Sequence, residues 1–419
     1  SLDENGQWKS LVDQKNSSAD ISPTGGQMPR LLGLAQASKV YKALGVDNGF
    51  SRQGQEVAWG TIGNASTSEG HFWEAMNAAG VMQLPLVMCV WDDEYGISVH
   101  ARYQTIKQNI SKALAGFQRT VDQRGATVEP GFEIIVANGW DYAALVAAFE
   151  KADAIAREEH VPVLLHIQQM TQPQGHSTSG SHERYKGPER LAWEQTYDCI
   201  AQFRQFIEAH DLLPAATLDA VEAEAKEEAK QAMQRAFDAY LAPLQAIRDQ
   251  ASDWLELLGE SAQAQRLRTD KTAMWRDSLA AVRQAATNAR AMGRDIQAVQ
   301  AWISMQQERG SEVYSSQLHS GTAFNVPHVQ ATYDESAPLV DGRVVLRDNF
   351  HALFNRHPEV LIFGEDVGTI GDVNQGLEGM QEAFGENRVF DTGIREATIA
   401  GQGIGLAMRG LRPIAEIQY

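Results

Sequence analysis

The chain has 419 residues, 43% hydrophobic and 21% charged, with a formal net charge of −18. That length supports two or three globular domains, each able to bury its own core. The acidic balance argues against a nucleic-acid binder, which needs a basic face, and no apolar run approaches the roughly 20 residues that span a bilayer.

Residues 27 to 170 alternate between helix and strand patterns. QMPRLLGLAQASKVYKALG reads as a helix ended at Gly45, and EVAWGTIG as a short strand. SEGHFWEAMNAAG reads as a helix with Phe72, Met76 and Ala79 on one face. PLVMCVW is a continuous apolar run, the mark of a strand buried on both faces of a parallel sheet. FEIIVANG, DYAALVAAFEKADAIAREE and VPVLLHIQQ follow as strand, helix and strand. Such units with short connections imply right-handed crossovers. Residues 1–187 are therefore expected to form a doubly wound α/β domain around a parallel sheet.

Residues 188–310 read as a helical tail and spacer whose charges form a solvated face. LAWEQTYDCIAQFRQFIEAH is one helical pattern within it, and Pro243 is expected to break or kink a later helix after Leu241. Residues 311–340 read as a linker. A second, incomplete α/β pattern occupies 341–419: helix VVLRDNFHALFNRH, strand EVLIFGEDVG, helix REATIAGQGIGLAMRG and strand RPIAEIQ. Gly401, Gly403 and Gly405 mimic a dinucleotide loop, but they fall inside the helix pattern and that reading is rejected. Cys89 and Cys199 form no CxxC or zinc-type spacing, so both are expected to be core thiols in a reducing cytoplasm. The chain opens at Ser1 without a signal segment and stops at Tyr419 straight after a strand pattern, as expected of a piece of a longer protein.

In an open parallel sheet, ligands sit beyond the carboxyl ends of the strands. GNASTSEGH, residues 63–71, runs from such an end into a helix N-terminus. Free N–H groups and the positive dipole end there suit a phosphate, and small residues let the backbone come close. WDDEYGIS, residues 91–98, leaves the next strand with two adjacent carboxylates, which repel each other unless a cation or solvent relieves them. Taken singly, a helix capped by Ser66 or Ser68 and a solvated turn explain the two loops as well. Separated by one helix and one strand, they are expected side by side on adjacent strands. That pairing favours a binding site.

Together the loops resemble the thiamin-diphosphate signature. The closest likeness is to the decarboxylating first component of 2-oxoacid dehydrogenase complexes, with α-type and β-type portions fused in one chain. That family reads like GDGATSEGD…NNxYAIS where this chain reads GNASTSEGH…DDEYGIS. The resemblance implies thiamin diphosphate and Mg2+ as cofactors, with Gly63, Ala65 and Ser66 at the cofactor. It implies a metal held by Asn64, Asp93 and the main-chain carbonyl of Tyr95. Here the family's acid has become Asn64 and its amide Asp93, a reciprocal exchange that keeps one carboxylate and one amide oxygen. Magnesium asks for hard oxygens, whichever loop supplies the anion. Trp91 stands where some members carry a diphosphate-binding arginine.

Other segments extend the likeness. SPTGGQMPRLLG, residues 22–33, resembles SPLATQIPQAVG, which implies that Ser22 and Gln27 line the cofactor. Ile97 matches the apolar residue that props the cofactor into its bent shape. GHSTS, residues 175–179, resembles the loop whose histidine contacts the diphosphate end of the active site, which implies His176. Ser177 holds the place that some relatives phosphorylate. Gly180 replaces the usual aspartate and an upstream YR pair is missing, so phosphorylation control is not expected. LIFGEDVG and DTGIREATIAGQGIGLAMRGLRPIAEIQ resemble the start of the family's β subunit. There the resemblance implies that Glu396 hydrogen-bonds the aminopyrimidine ring and so helps remove the thiazolium proton. Ile394 and Gln418 match neighbouring cofactor contacts, and Glu365 an acid between paired active sites. Without the flanking motif, Glu396 would read as a carboxylate stabilised by a helix N-terminus.

What the resemblance implies is thus a cytoplasmic decarboxylase of 2-oxoacids. It would pass the acyl group to lipoamide on a lipoyl-bearing acyltransferase and work as a homodimer of full-length chains. The EIQ ending and the GIRE context favour a branched-chain 2-oxoacid. Two other readings stand beside this one: a pyruvate or acetoin dehydrogenase of the same family, and a non-catalytic degenerate paralogue serving as an assembly subunit. Asn64 and Gly180 speak for the last. The 419 residues are expected to be inactive alone, because the family's cofactor site needs a complete second domain.

Overall fold

A computed structural model describes residues 23–173, 176, 181–314 and 325–418. The chain divides into two compact units, Ser1–Leu212 with Pro338–Tyr419, and Leu213–Ala337. In the first unit, four parallel strands form a sheet: β1 (Ala58–Gly63), β2 (Leu86–Trp91), β3 (Glu133–Asn138) and β4 (Val163–Gln168). Their order is β1-β2-β4-β3. Side chains alternate across a strand, so β2 feeds two cores. Leu86, Met88 and Val90 meet Met28, Leu32, Phe72 and Met76, whereas Val87 and Cys89 meet Ala148, Ala152 and Leu165. The continuous apolar run is explained by cover on both faces.

The covering helices are α1 (Gln27–Leu44), α2 (Gly70–Met82) and α3 (Tyr142–Ala154). α1 ends where expected: Gly45 turns left-handed at φ +64° and its N–H returns to the carbonyls of Lys42 and Tyr41. Phe72, Met76 and Ala79 of α2 are all buried, as their spacing predicts. Burial pushes the Cys89 thiol up to about 12, which makes it an inert core thiol. Cys199 is only half-buried, short of the expected core position, and both cysteines are free. The single helix expected over 191–210 is two, α4 (Pro188–Thr196) and α5 (Cys199–Ala209). Asp198 divides them by accepting the N–H groups of Ile200 and Ala201 as an N-cap.

The second unit is helical: α6 (Ala215–Leu257), α7 (Ser261–Thr269), α8 (Trp275–Ala291) and α9 (Gln297–Tyr314). Its core gathers Ala251, Leu255, Val282, Ala285, Ala286 and Ile303. α6 continues through Pro243, so the expected break is not there. A proline removes one helical hydrogen bond, and burial of Ile247, Ala251 and Leu255 holds the helix on its far side.

Back in the first unit, a smaller parallel sheet comprises β5 (Val360–Gly364), β6 (Val389–Asp391) and β7 (Arg412–Ala415) in the order β6-β5-β7. Its helices are α10 (Gly342–Arg356), α11 (Met380–Phe384) and α12 (Glu396–Met408). α1 serves both sheets. One face enters the first core, and Ala37, Val40 and Tyr41 join Leu361, Phe363, Ile399 and Leu406. The three glycines that mimic a dinucleotide loop lie within α12, as expected. Two of them let it cross α1 with backbones touching: a Cβ on Gly405 would stand 2.1 Å from the Arg30 carbonyl, and one on Gly401 2.3 Å from the Pro29 Cβ. Arg409 staples the crossing, reaching the Leu34 and Phe50 carbonyls at 3.1 and 2.9 Å and Glu56 at 2.9 Å.

Candidate functional site

β1 and β2 pair in register from Ala58↔Leu86 to Gly63↔Trp91, and the Asn64 N–H donates to the Trp91 carbonyl at 3.0 Å. The two polar loops therefore leave neighbouring strands at one level, as expected. They also touch, since a Cβ on Gly96 would stand 2.5 Å from the Ala65 Cβ. The first loop does not run directly into a helix. A 3-10 turn, Ala65–Ser68, intervenes, and α2 starts at Gly70 with Glu69 as its N-cap residue. Neither Ser66 nor Ser68 caps it. Asn64 is buried, and its carbonyl accepts the N–H and hydroxyl of Thr67 at 3.2 and 2.6 Å. Gln27, at the start of α1, donates to the Thr61 carbonyl at 3.3 Å and leaves its buried Oε1 without a partner. Gly25, at φ +74°, packs on the Glu69 side chain, so the turn before α1 closes on the same loop.

The second loop is two consecutive Asx turns. Asp92 Oδ1 accepts the Glu94 N–H at 2.8 Å and Asp93 Oδ1 the Tyr95 N–H at 3.1 Å. A hairpin follows, with Tyr95↔His100 and Gly96↔Val99 paired. Ala101 donates to the Glu94 carbonyl at 2.8 Å, which makes Tyr95↔His100 a non-hydrogen-bonded pair. The Tyr95 carbonyl thus stays out of the ladder. Ile97 turns the hairpin at φ +57° and is exposed. A β-branched residue in that region stores strain of about 1–3 kcal/mol, which is retained where surrounding contacts over-determine it. Here Gly96 is wedged on Ala65.

Behind Tyr95 stands a clamp that sequence reasoning missed. Arg190 on α4 donates to the Asp93 carbonyl at 2.9 Å, pairs with Glu94, and reaches Glu194 at 2.9 Å. Buried Lys186 joins Glu194 at 2.7 Å and lies 5.1 Å from the Tyr95 ring centroid. The available signal was the Arg190, Glu194 spacing at i,i+4 after a proline N-terminus. Burial holds the Asp93 carboxyl above the usual carboxylate range; Lys186 draws it down and Asp92 pushes it up. Among the described residues, no side-chain cation stands within ion-pair distance of Asp93.

On the other side of the unit, the Thr398 hydroxyl donates to Glu74 of α2. The helix that opens with exposed Glu396 therefore docks on the helix after the first loop. Burial lowers the neighbouring Arg395 guanidinium to about 10, against the attraction of Glu74. Ile394 is exposed, and Gln418 donates to Asp366 at 2.8 Å. Among the described residues, no hydrogen bond joins Glu396 directly to either loop. Glu365 Oε1, Thr392 Oγ1 and Glu416 Oε2, just past the carboxyl ends of β5, β6 and β7, are buried without partners.

Burial, then Asp372, Glu365 and Asp366, push the Glu416 carboxyl above its ordinary range. A carboxyl raised in the folded state contributes its stability below the unfolded value and loses it as pH rises through the folded one. Glu416→Gln is therefore expected to raise the thermal midpoint at pH 7. Scans below about pH 4 should show no gain, and a midpoint shift of equal size at both pH values would contradict this origin.

The two adjoining loops carry three hard-oxygen donors: the Asn64 amide, the Asp93 carboxylate and the Tyr95 carbonyl. That donor set fits Mg2+. No cluster of three His, Cys, Asp or Glu suited to a metal occurs among the described residues, so the set rests on one carboxylate. Gln27 and the loop's small residues fit a phosphate-bearing group beside it. His176 is half-buried; Ser22, Ser177 and Gly180 lie outside the described residues.

Comparison with known proteins bears on the same segments. The family profile described as "Dehydrogenase E1 component" matches residues 9–244, more than half of the chain. The chain belongs to that family. A transketolase pyrimidine-binding domain matches residues 340–419 of this E1 chain. The pyruvate dehydrogenase E1 component subunit beta of Leifsonia xyli subsp. xyli is 58% identical over 62 residues, covering 15% of this chain and 18% of that protein. The protein of the same name from Staphylococcus epidermidis is 47% identical over 74 residues, covering 18% and 23%. The E1 chain thus spans between 18% and 23% of the length of these curated relatives. Among solved structures, transketolase from Leishmania mexicana superposes at 15% identity and a TM-score of 0.41, covering 94% of this chain and 47% of its own. Transketolase from Campylobacter jejuni does so at 14% and 0.44, covering 96% and 48%. Trp91, where some E1 members carry an arginine, packs instead near Phe149, which stacks on Trp59 at 5.6 Å. No helix among the described residues is long and apolar enough to cross a membrane.

Proposed function

We propose that this chain carries the diphosphate-binding and pyrimidine-binding portions of a thiamin-diphosphate-dependent 2-oxoacid dehydrogenase. One observation carries the reading: the loops that bear Asn64 and Asp93–Tyr95 leave neighbouring parallel strands at one level, in the same unit as the helix that opens with Glu396. The division follows: residues 1–187 for diphosphate and metal, 188–310 as helical spacer, 311–340 as linker, and 341–419 for the pyrimidine.

Bound thiamin diphosphate supplies the carbon chemistry that releases carbon dioxide. The chain's own groups bind and orient. Asn64, Asp93 and Tyr95 hold Mg2+, with Gly63, Ala65, Ser66, Ser22 and His176 around the diphosphate. Ile97 props the cofactor from its strained turn. Glu396 holds a proton at the pyrimidine ring nitrogen, with Ile394 and Gln418 beside it. A lipoyl-bearing acyltransferase would take the acyl group from a cytoplasmic homodimer of full-length chains. Both curated relatives named above are pyruvate dehydrogenase subunits, which favours pyruvate over the branched-chain substrate suggested by the GIRE and EIQ segments. Against the degenerate-paralogue reading, which Asn64 and Gly180 favour, the paired loops keep one carboxylate, Asp93, and one amide, Asn64.

Calorimetric titration of thiamin diphosphate into the complete protein tests this. Binding is expected to require Mg2+; binding indifferent to Mg2+ would sink the site. Asn64→Asp, which adds a second carboxylate to the paired loops, should weaken Mg2+ several-fold, about 1 kcal/mol. Equal or tighter Mg2+ binding would count against the exchange. Turnover of a 2-oxoacid panel with an artificial electron acceptor would then rank the substrates, with pyruvate expected first.

A further inference from the structure

Asp92, the first of the paired carboxylates, is joined to a group that the proposed function does not use. His166 lies on β4 with no solvent exposure, and Asp92 and Ser111 are buried beside it. His166 Nε2 stands 2.9 Å from Asp92 Oδ2, and Nδ1 stands 3.0 Å from Ser111 Oγ. A serine, a histidine and an aspartate in a row suggest a nucleophile, but the proton count excludes it. The Lys112 N–H donates to Asn109 Oδ1 at 2.9 Å, which fixes that atom as an oxygen. Ser111 then spends its only proton on the same oxygen at 2.8 Å. It therefore turns a lone pair toward His166, and Nδ1 must donate. If the serine proton pointed at His166 instead, two acceptor oxygens would face each other 2.8 Å apart with nothing between them. On the other side, Asp92 already accepts the Glu94 N–H on Oδ1, and the 2.9 Å contact between Oδ2 and Nε2 needs one proton between the two atoms.

We propose that His166 is a doubly protonated imidazolium that neutralises Asp92, leaving Asp93 as the one uncompensated carboxylate offered to the metal. His166 is thus a positioning residue, and this part of its role rests on the metal site proposed above. The anchor is mechanical as well as electrostatic. The Asp92 N–H donates to the Ile167 carbonyl at 2.8 Å, and the Asp92 carbonyl accepts the Met170 N–H at 2.9 Å. The loop's first residue is bolted to β4 through its main chain and its carboxylate, and the geometry of Asp93 and Tyr95 follows from it. A buried carboxylate needs such a partner, because removing one member of a buried ion pair strands the other.

The test begins without cofactor, on the full chain carrying 15N-labelled histidine. At neutral pH, one buried ring with both nitrogens protonated is expected, and Asp92→Asn should convert that ring to the neutral form. A wild-type His166 with one bare nitrogen would overturn the proposal, whatever the fate of the metal site. The second arm measures Mg2+-dependent binding of thiamin diphosphate. His166→Gln is expected to weaken it about ten-fold by stranding Asp92. The Asp92→Asn/His166→Gln pair, which keeps a hydrogen bond without a buried charge, should restore most of the loss. A double variant no better than His166→Gln would overturn the pairing. If His166→Gln does not fold, the wild-type and Asp92→Asn spectra still decide the charge. An imidazolium in a protein that shows no Mg2+-dependent binding would overturn the metal site and leave the Asp92 pairing standing.

Discussion

Gly405→Val is expected to unseat α12 from α1 and to cost about 3 kcal/mol of stability, at the upper end of overpacking penalties. The reason is that backbone, and not a flexible side chain, fills the space. A Cβ at Gly405 would meet the Arg30 carbonyl at 2.1 Å and the Leu34 nitrogen at 2.7 Å, and one at Gly33 would meet the Gln402 carbonyl at 2.0 Å. Relief requires the helices to separate. Separation would also break the Gln402–Gln36 hydrogen bond of 2.6 Å and the bond of 2.6 Å from the Tyr41 hydroxyl to the Arg409 carbonyl. Gly403→Ala on the same helix meets nothing nearer than the Ala415 Cβ at 3.3 Å and should be far milder. Denaturant unfolding with amide hydrogen exchange would check both. Protection should fall in α12 and β5 while β2 keeps its own; an unchanged midpoint for Gly405→Val would refute the close crossing.

These glycines show what periodicity can and cannot say. The pattern in REATIAGQGIGLAMRG assigns a helix and so excludes a phosphate loop, but it cannot name the helix on the other side. β2 was legible because its apolar run is continuous, and the adjacency of the two loops followed from crossover rules alone. The partners of Asp92 and Asp93 were not legible. His166 lies 74 residues from Asp92 and Arg190 lies 97 from Asp93, and no local spacing announces a pairing made only by strand order or helix docking. The helix does not break at Pro243 for a related reason. Propensity marks where a helix is weakened, whereas tertiary burial decides whether it ends. Asp198, by contrast, was a readable N-cap hidden inside a helical pattern.

In the complete protein, Glu396→Gln is expected to lower 2-oxoacid decarboxylation by about 10²- to 10⁴-fold, the usual worth of a positioned proton-transfer group. Glu396 is the first residue of α12. The bond from Thr398 to Glu74 and the glycine crossing with α1 hold that first turn in place. Glutamine keeps the shape and a hydrogen-bonding oxygen but cannot take a proton. The loss should therefore fall on kcat, with KM and cofactor affinity little changed, as for an interaction made in the transition state. Asp93→Asn should do the reverse, weakening Mg2+ and cofactor binding first. A purely structural Glu396 predicts something else: a stability loss of about 0.3–1 kcal/mol from the helix terminus and near-normal turnover. Steady-state kinetics alongside thermal unfolding separate these outcomes, and normal kcat in Glu396→Gln would remove Glu396 from the chemistry.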